Sequence, residues 1–159
     1  MFERYSTASR QVLFAARAEA GSAGSGFIDT EHILLGVLRV HPESLQLTAQ
    51  LLSLDSVRRN ATRWHTPSEK LPSSLDLPIS QDAKLVLDKA VSLADAHSCD
   101  FVRTEHLLLA LTAITASHAA EILQEGRISL GRLEEIVAAL PRTERQEGNP
   151  SSLEDSLPW

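Results

Sequence analysis

Apolar residues recur along this chain at helical rather than strand spacing. Val12, Leu13, Ala16 and Ala20 fall at i, i+1, i+4 and i+8, one stripe of an amphipathic helix. Ser6 is placed to cap that helix, so the pattern predicts a helix over 6–20. The run Gly21-Ser22-Ala23-Gly24-Ser25-Gly26 ends it in a loop. The next stripe is Ile33, Leu34, Val37 and Leu38, on a helix starting at Thr30 as N-cap and stopped by His41-Pro42. A third helix is predicted from Glu43 to Leu52, and a fourth from near Asp55 to near Trp64.

The same plan then repeats. Sliding the sequence by 74 residues lays 5–36 over 79–110 without a gap. Ser6 meets Ser80, Val12-Leu13 meets Val86-Leu87, Ala16 meets Ala90, and Phe27 meets Phe101. The densest match is Thr30-Glu31-His32 over Thr104-Glu105-His106, followed by two leucines in each copy. Similarity at a fixed offset marks a duplicated supersecondary unit. The later part of each unit matches loosely and needs a gap of about three residues. The second unit is predicted to hold helices from Ser80 to Ala96, Thr104 to Thr115, 117–125 and Ser129 to Leu140. The expected fold is all-α, with eight helices in two pseudo-symmetric four-helix repeats. Short connections make neighbours antiparallel within each half. One domain over 1–140 therefore divides into repeat 1 (1–64), a linker (65–78) with three prolines and three serines, and repeat 2 (79–140). Residues 141–159 are polar and proline-punctuated and are expected to be a disordered tail, in which the terminal Trp159 is a solvated chain end or a short docking motif.

Composition narrows the function. Hydrophobic residues make up 43% of the chain and aromatics only 4%, so Leu, Ala, Val and Ile must fill the core. The net charge is −6, against the basic footprint of general nucleic-acid binding and against docking on anionic membranes. Arg58, Arg59 and Arg63 form the one basic cluster and read as a solvated helix face rather than a recognition helix. The lone Cys99 can make no internal disulfide, and no apolar run approaches the length of a membrane span. The N-terminal residues lack a signal-peptide layout. A cytoplasmic protein is expected.

Catalytic signatures are absent. There is no Gly-Lys-Ser/Thr loop, no His-Glu-x-x-His, no Cys-x-x-Cys and no Gly-x-Ser-x-Gly. Cys99 beside His97 and Asp100 reads as a small apolar residue at a loop edge, since residues two apart on a helix point to different faces. Of the six histidines only His32 and His106 are patterned, and two ligands without cysteines make a poor metal site. No cofactor and no metal are expected, and the chain is expected not to be an enzyme.

The duplicated Thr-Glu-His leaves two readings open. Thr at an N-cap with Glu in the first turn is a stable helix start in itself, the Glu worth about 0.3–1 kcal/mol against the helix dipole. The same arrangement also makes half of a ligand site. A carboxylate holds a guanidinium by paired hydrogen bonds, and free N-terminal amides hold an anion such as phosphate.

These residues carry a resemblance. The opening Met1-Phe2-Glu3-Arg4-Tyr5-Ser6 and the repeated Thr-Glu-His-[Ile/Leu]-Leu-Leu are similar to the N-terminal domain of Clp-type AAA+ unfoldases, nearest to the ClpC type, over about residues 1–140. The resemblance implies a non-enzymatic module that docks adaptor proteins and tagged substrates for a hexameric Clp ATPase and its ClpP-type peptidase. It also implies that Glu31 and Glu105, with Thr30, Thr104, His32 and His106 around them, recognise phosphorylated arginine. The alternative it allows is an accessory subunit that stabilises a Clp peptidase or ATPase assembly. Departures lie at residues 22–26 and 97–100, at position 36 (Gly, against Ala110 in the second unit), in the weakly fitting third helix of each unit, and at Gly126-Arg127 in place of an expected Leu-Gly pair. With no ATPase motif following, a stand-alone protein is expected rather than an excised domain.

Overall fold

The computed structural model describes residues 2–43, 52–64, 68–72 and 75–141. Seven helices lie among them: α1 (Thr7–Ser22), α2 (Thr30–Val40), α3 (Leu54–Ala61), α4 (Gln81–Ala96), α5 (Thr104–Ala113), α6 (His118–Glu125) and α7 (Leu130–Ala138). The helix expected over 43–52 falls on 44–51, outside the described residues, as does the tail beyond Pro141. The fold is all-α, as the spacing predicts.

The two repeats interlock at their starts. Tyr5 of the first pairs in a parallel bridge with Val102 of the second, and Ile79 of the second pairs in the same way with Ile28 of the first. Each residue of one bridge lies 74 positions from its counterpart in the other, so the exchange is reciprocal. Its hydrogen bonds match in kind. Ser6 N–H donates to Val102 O at 3.0 Å and Val102 N–H to Arg4 O at 2.8 Å. Ser80 N–H donates to Ile28 O at 2.9 Å and Ile28 N–H to Pro78 O at 2.8 Å. Backbone donors that precede each first helix are thus satisfied by the other repeat. Tyr5 is buried, and its hydroxyl donates to Leu87 O at 2.9 Å.

Between the repeats lies one hydrophobic core. It is built from Val12, Ala16, Ile33, Leu34 and Val37 on one side and from Val86, Ala90, Leu107, Leu108 and Leu111 on the other. Cys99 joins it from the loop that follows α4 and is 4% exposed, packing as a small apolar residue. The described parts of the linker lie along repeat 1. Leu71 N–H donates to Gly21 O at 2.8 Å, and Arg17 donates to Pro72 O at 3.1 Å.

Gly36 explains why position 36 differs between the repeats. A Cβ there would meet Val12 O at 2.3 Å and Ala16 N at 3.1 Å, so α1 and α2 cross in contact only because the side chain is missing. The buried Ala110 holds the equivalent place in repeat 2. The helix ends differ too. Gly24 closes α1 in the left-handed region at φ +73°, and Ser98, 74 residues on, closes α4 at φ +56°. Ser25 N–H reaches back to Ala20 O and Cys99 N–H to Ala94 O, the long closing bond of a Schellman motif. Arg127 closes α6 in the same way at φ +57°, with Ile128 N–H on Leu123 O.

The arginine cluster is more engaged than its sequence suggests. Arg58 and Arg39 both donate to Glu19, a carboxylate only 7% exposed. Burial by itself would raise that carboxyl, but the two guanidinium groups outweigh it and hold Glu19 below the usual carboxylate range. Arg63 reaches across to Glu121 and Glu125 of repeat 2.

Candidate functional site

Both Thr-Glu-His motifs open a helix, one residue later than their threonines suggest. The N-caps are Asp29 and Arg103, and Thr30 and Thr104 are the first helical residues. The cause is the histidine. His32 Nδ1 accepts from Asp29 N–H at 2.9 Å, and His106 Nδ1 accepts from Arg103 N–H at 2.9 Å. Each imidazole therefore does what Glu or Gln does in a capping box, from the third helical position. With Nδ1 accepting, the ring proton of the neutral form sits on Nε2. Burial pushes His106 down to about 4, helped by the charges of His97, Arg103 and Arg4. Both histidines thus serve the helix starts.

The two starts are then finished differently. At α2, Asp29 Oδ1 accepts from Thr30 N–H at 2.7 Å and from Ser80 Oγ at 2.9 Å. Glu31 is wholly buried, and its Oε2 lies 2.7 Å from His118 Nδ1 of repeat 2. Asp29 Oδ2 is 3.4 Å from the same nitrogen. Ala119 N–H donates to Thr30 Oγ1 at 3.1 Å, so the first turn of α6 sits on the first turn of α2. The His118 ring is stacked on Trp64, centroids 4.2 Å apart and 8° from parallel.

At α5 the N-cap is an arginine, and no side chain caps the first-turn amides. Thr104 is 2% exposed, and its Oγ1 has no hydrogen-bond partner among the described residues. Glu105 is half-buried and makes no hydrogen bond or ion pair among them. Glu105 thus lies half-buried in the first turn of α5, at the positive end of the helix dipole.

Sequence reasoning placed Glu31 and Glu105 in equivalent positions. It missed His118, which lies 87 residues from Glu31 and is not part of the repeated motif. It also passed over Asp29, although an Asp before Thr-Glu-His is a ready N-cap signal. Asp29, Glu31 and His118 bring one donor atom each to within 4.8 Å of one another, the spacing of a metal site, but the imidazole and the carboxylates already bond one another. Elsewhere Phe14 is 58% exposed and lines an open apolar cavity of about 410 Å³ with Phe2, Leu13 and Arg10. Phe2 is half-buried, its ring edge-on to Tyr5 at 5.2 Å. Among the described residues no single helix is long and apolar enough to cross a membrane.

A family model described as the Clp repeat (R) N-terminal domain matches residues 4–126. A ClpA homolog of Cyanidium caldarium, an ATP-binding subunit of ATP-dependent Clp protease, is 30% identical over 139 residues, covering 84% of this chain and 16% of that protein. The chloroplastic chaperone protein ClpD of Arabidopsis thaliana is 22% identical over 153 residues, covering 89% of this chain and again 16% of the relative. The crystal structure of that ClpD N-terminal domain superposes with a TM-score of 0.71 at 21% identity, covering 86% of this chain and 94% of that one. A chain from work on a malarial protein secretion system matches with a TM-score of 0.71 at 20% identity, covering 84% and 92%.

Proposed function

We propose a docking function for this chain, which belongs to the Clp repeat N-terminal domain family. In this reading it is a non-enzymatic module of a Clp unfoldase system. It receives adaptor proteins or tagged substrates and presents them to a Clp ATPase and a ClpP-type peptidase. The chain spans only about a sixth of the length of its ATP-binding relatives (16% of the first), so these partners are part of the proposal. So is a cytoplasmic location, since the ClpD relative is chloroplastic by name.

The observation that carries the reading is Glu105. A carboxylate in the first turn of a helix offers an acceptor for a guanidinium next to donors for an anion. Phosphorylated arginine holds both groups in one side chain. Glu31, the counterpart, offers the same chemistry wherever His118 is displaced. The exposed Phe14 and its apolar cavity add a surface on which a larger partner can settle.

Calorimetric titration of the purified chain with free phosphoarginine tests this, beside the double variant Glu31→Ala, Glu105→Ala. Saturable binding that vanishes in the variant supports the docking reading. No binding to the intact chain removes the phosphoarginine reading. Co-purification with a Clp peptidase ring that survives the double substitution would then favour the accessory-subunit alternative.

A further inference from the structure

We infer that Asp29, Glu31 and His118 form a site for one divalent transition-metal ion of the zinc class, which clips repeat 2 onto repeat 1. The site is not a property of the duplicated motif. Only Glu31 belongs to Thr-Glu-His; His118 is the first residue of α6, and the counterpart of Asp29 in repeat 2 is the cation Arg103.

The spacing fits such an ion. One donor atom from each residue lies within 4.8 Å of the other two. Two ligands of a tetrahedral zinc, each 2.0–2.1 Å from it, stand about 3.3 Å apart. Asp29 Oδ2 is already 3.4 Å from His118 Nδ1. Glu31 Oε2 is nearer, at 2.7 Å from the same nitrogen, because a proton lies between them. The ion takes that proton's place, and the contact opens by about 0.6 Å to ligand spacing. The imidazole then binds through Nδ1 in its neutral form, with its one ring proton on Nε2.

Two of the ligands are already oriented from behind. Asp29 Oδ1 is held by Thr30 N–H at 2.7 Å and by Ser80 Oγ at 2.9 Å. The His118 ring is fixed face-on by Trp64, and its helix is tied to Thr30 Oγ1 through Ala119 N–H. Supports of this kind aim metal ligands. The charges agree with the geometry. Asp29 is 6% exposed and Glu31 is wholly buried. Two carboxylates brought together out of water repel, and buried charges of this kind are paired or coordinate metals. An imidazole carries at most one positive charge, whereas a dication neutralises both carboxylates. The His118 side chain is 28% exposed, so an ion reaches the site from solvent and water completes its shell. A donor set of one nitrogen and two oxygens suits zinc better than magnesium or calcium, which take six or more oxygens.

The test uses the full chain freed of metal with EDTA, and zinc chloride as the probe in calorimetric titration. The variants are His118→Ala, Asp29→Asn and His41→Ala. Asparagine caps a helix as well as aspartate does, so Asp29→Asn removes a ligand and keeps the helix start. His41→Ala removes the rival surface pair of His41 and Glu43, 2.8 Å apart. The expected result is one zinc per chain, weakened at least tenfold by His118→Ala and by Asp29→Asn and altered less than twofold by His41→Ala. Zinc should also raise the Tm of the parent and leave that of Asp29→Asn unchanged. No zinc binding, binding that either site variant leaves within twofold, or binding lost with His41→Ala overturns the inference.

Discussion

Adding one methyl group at Gly36 should destabilise this protein, although it improves the helix. In isolation Gly→Ala inside a helix gains about 0.8–1.0 kcal/mol. Here the new Cβ lands 2.3 Å from Val12 O, 3.1 Å from Ala16 N and 3.2 Å from Val12 Cγ1. The first distance is roughly 1 Å short of an ordinary contact. The obstructing atom is backbone, on a helix whose Val12 and Ala16 are themselves buried, so α1 and α2 must separate as bodies. Overpacking of a tight core costs about 1–3 kcal/mol and more where nothing can yield. With two helices forced apart the upper part of that range applies, leaving a net loss of about 1–2 kcal/mol after the propensity gain. For a chain of this size that is a fall in Tm of roughly 2–8 °C. Differential scanning calorimetry of Gly36→Ala against the parent measures it. An unchanged or raised Tm would refute the reasoning and show that the α1–α2 crossing is looser than the distances state.

Three further outcomes follow from particular residues. Arg127→Gly and Ser98→Gly each relieve a side chain held at positive φ, and each should raise the stability read by urea denaturation by about 0.5–1 kcal/mol, with the caps otherwise intact. Tyr5→Phe removes the donor to Leu87 O from a buried site and should cost about 1–2 kcal/mol in the same assay. His106 is neutral in the fold with its value near 4, against 6.5 for an ordinary imidazole. The unfolded chain thus binds the proton first as pH falls, so stability should be full above about 6.5 and decline by roughly 3 kcal/mol on the way to pH 4. His106→Gln should flatten that decline, as followed by pH-dependent denaturation.

The parts of the fold legible in the sequence are those written locally. Ser6, Ser80 and Ser129 are all N-caps, each accepting from a backbone N–H three residues on. The repeat offset carried the α4–α5 pair directly from α1–α2. Thr30 and Thr104 were misplaced by one residue because threonine is itself a good cap, whereas the position is fixed by the histidine at the third helical residue. What the sequence hid is long-range. Glu19 with Arg58, and Glu31 with His118, are 39 and 87 residues apart, and no periodicity links them. The difference between the repeats was hidden for the same reason. Glu31 and Glu105 share the same Thr-Glu-His, the residues before it differ (Asp29 against Arg103), and the packing of α6 on α2 goes with the full burial of Glu31 where Glu105 is half-buried.

The most direct test of the account is a backbone-amide NMR titration of the full chain with phosphoarginine. The account predicts saturable shifts at the helix starts, Thr30–His32 and Thr104–His106. No saturable shift at either helix start would contradict it.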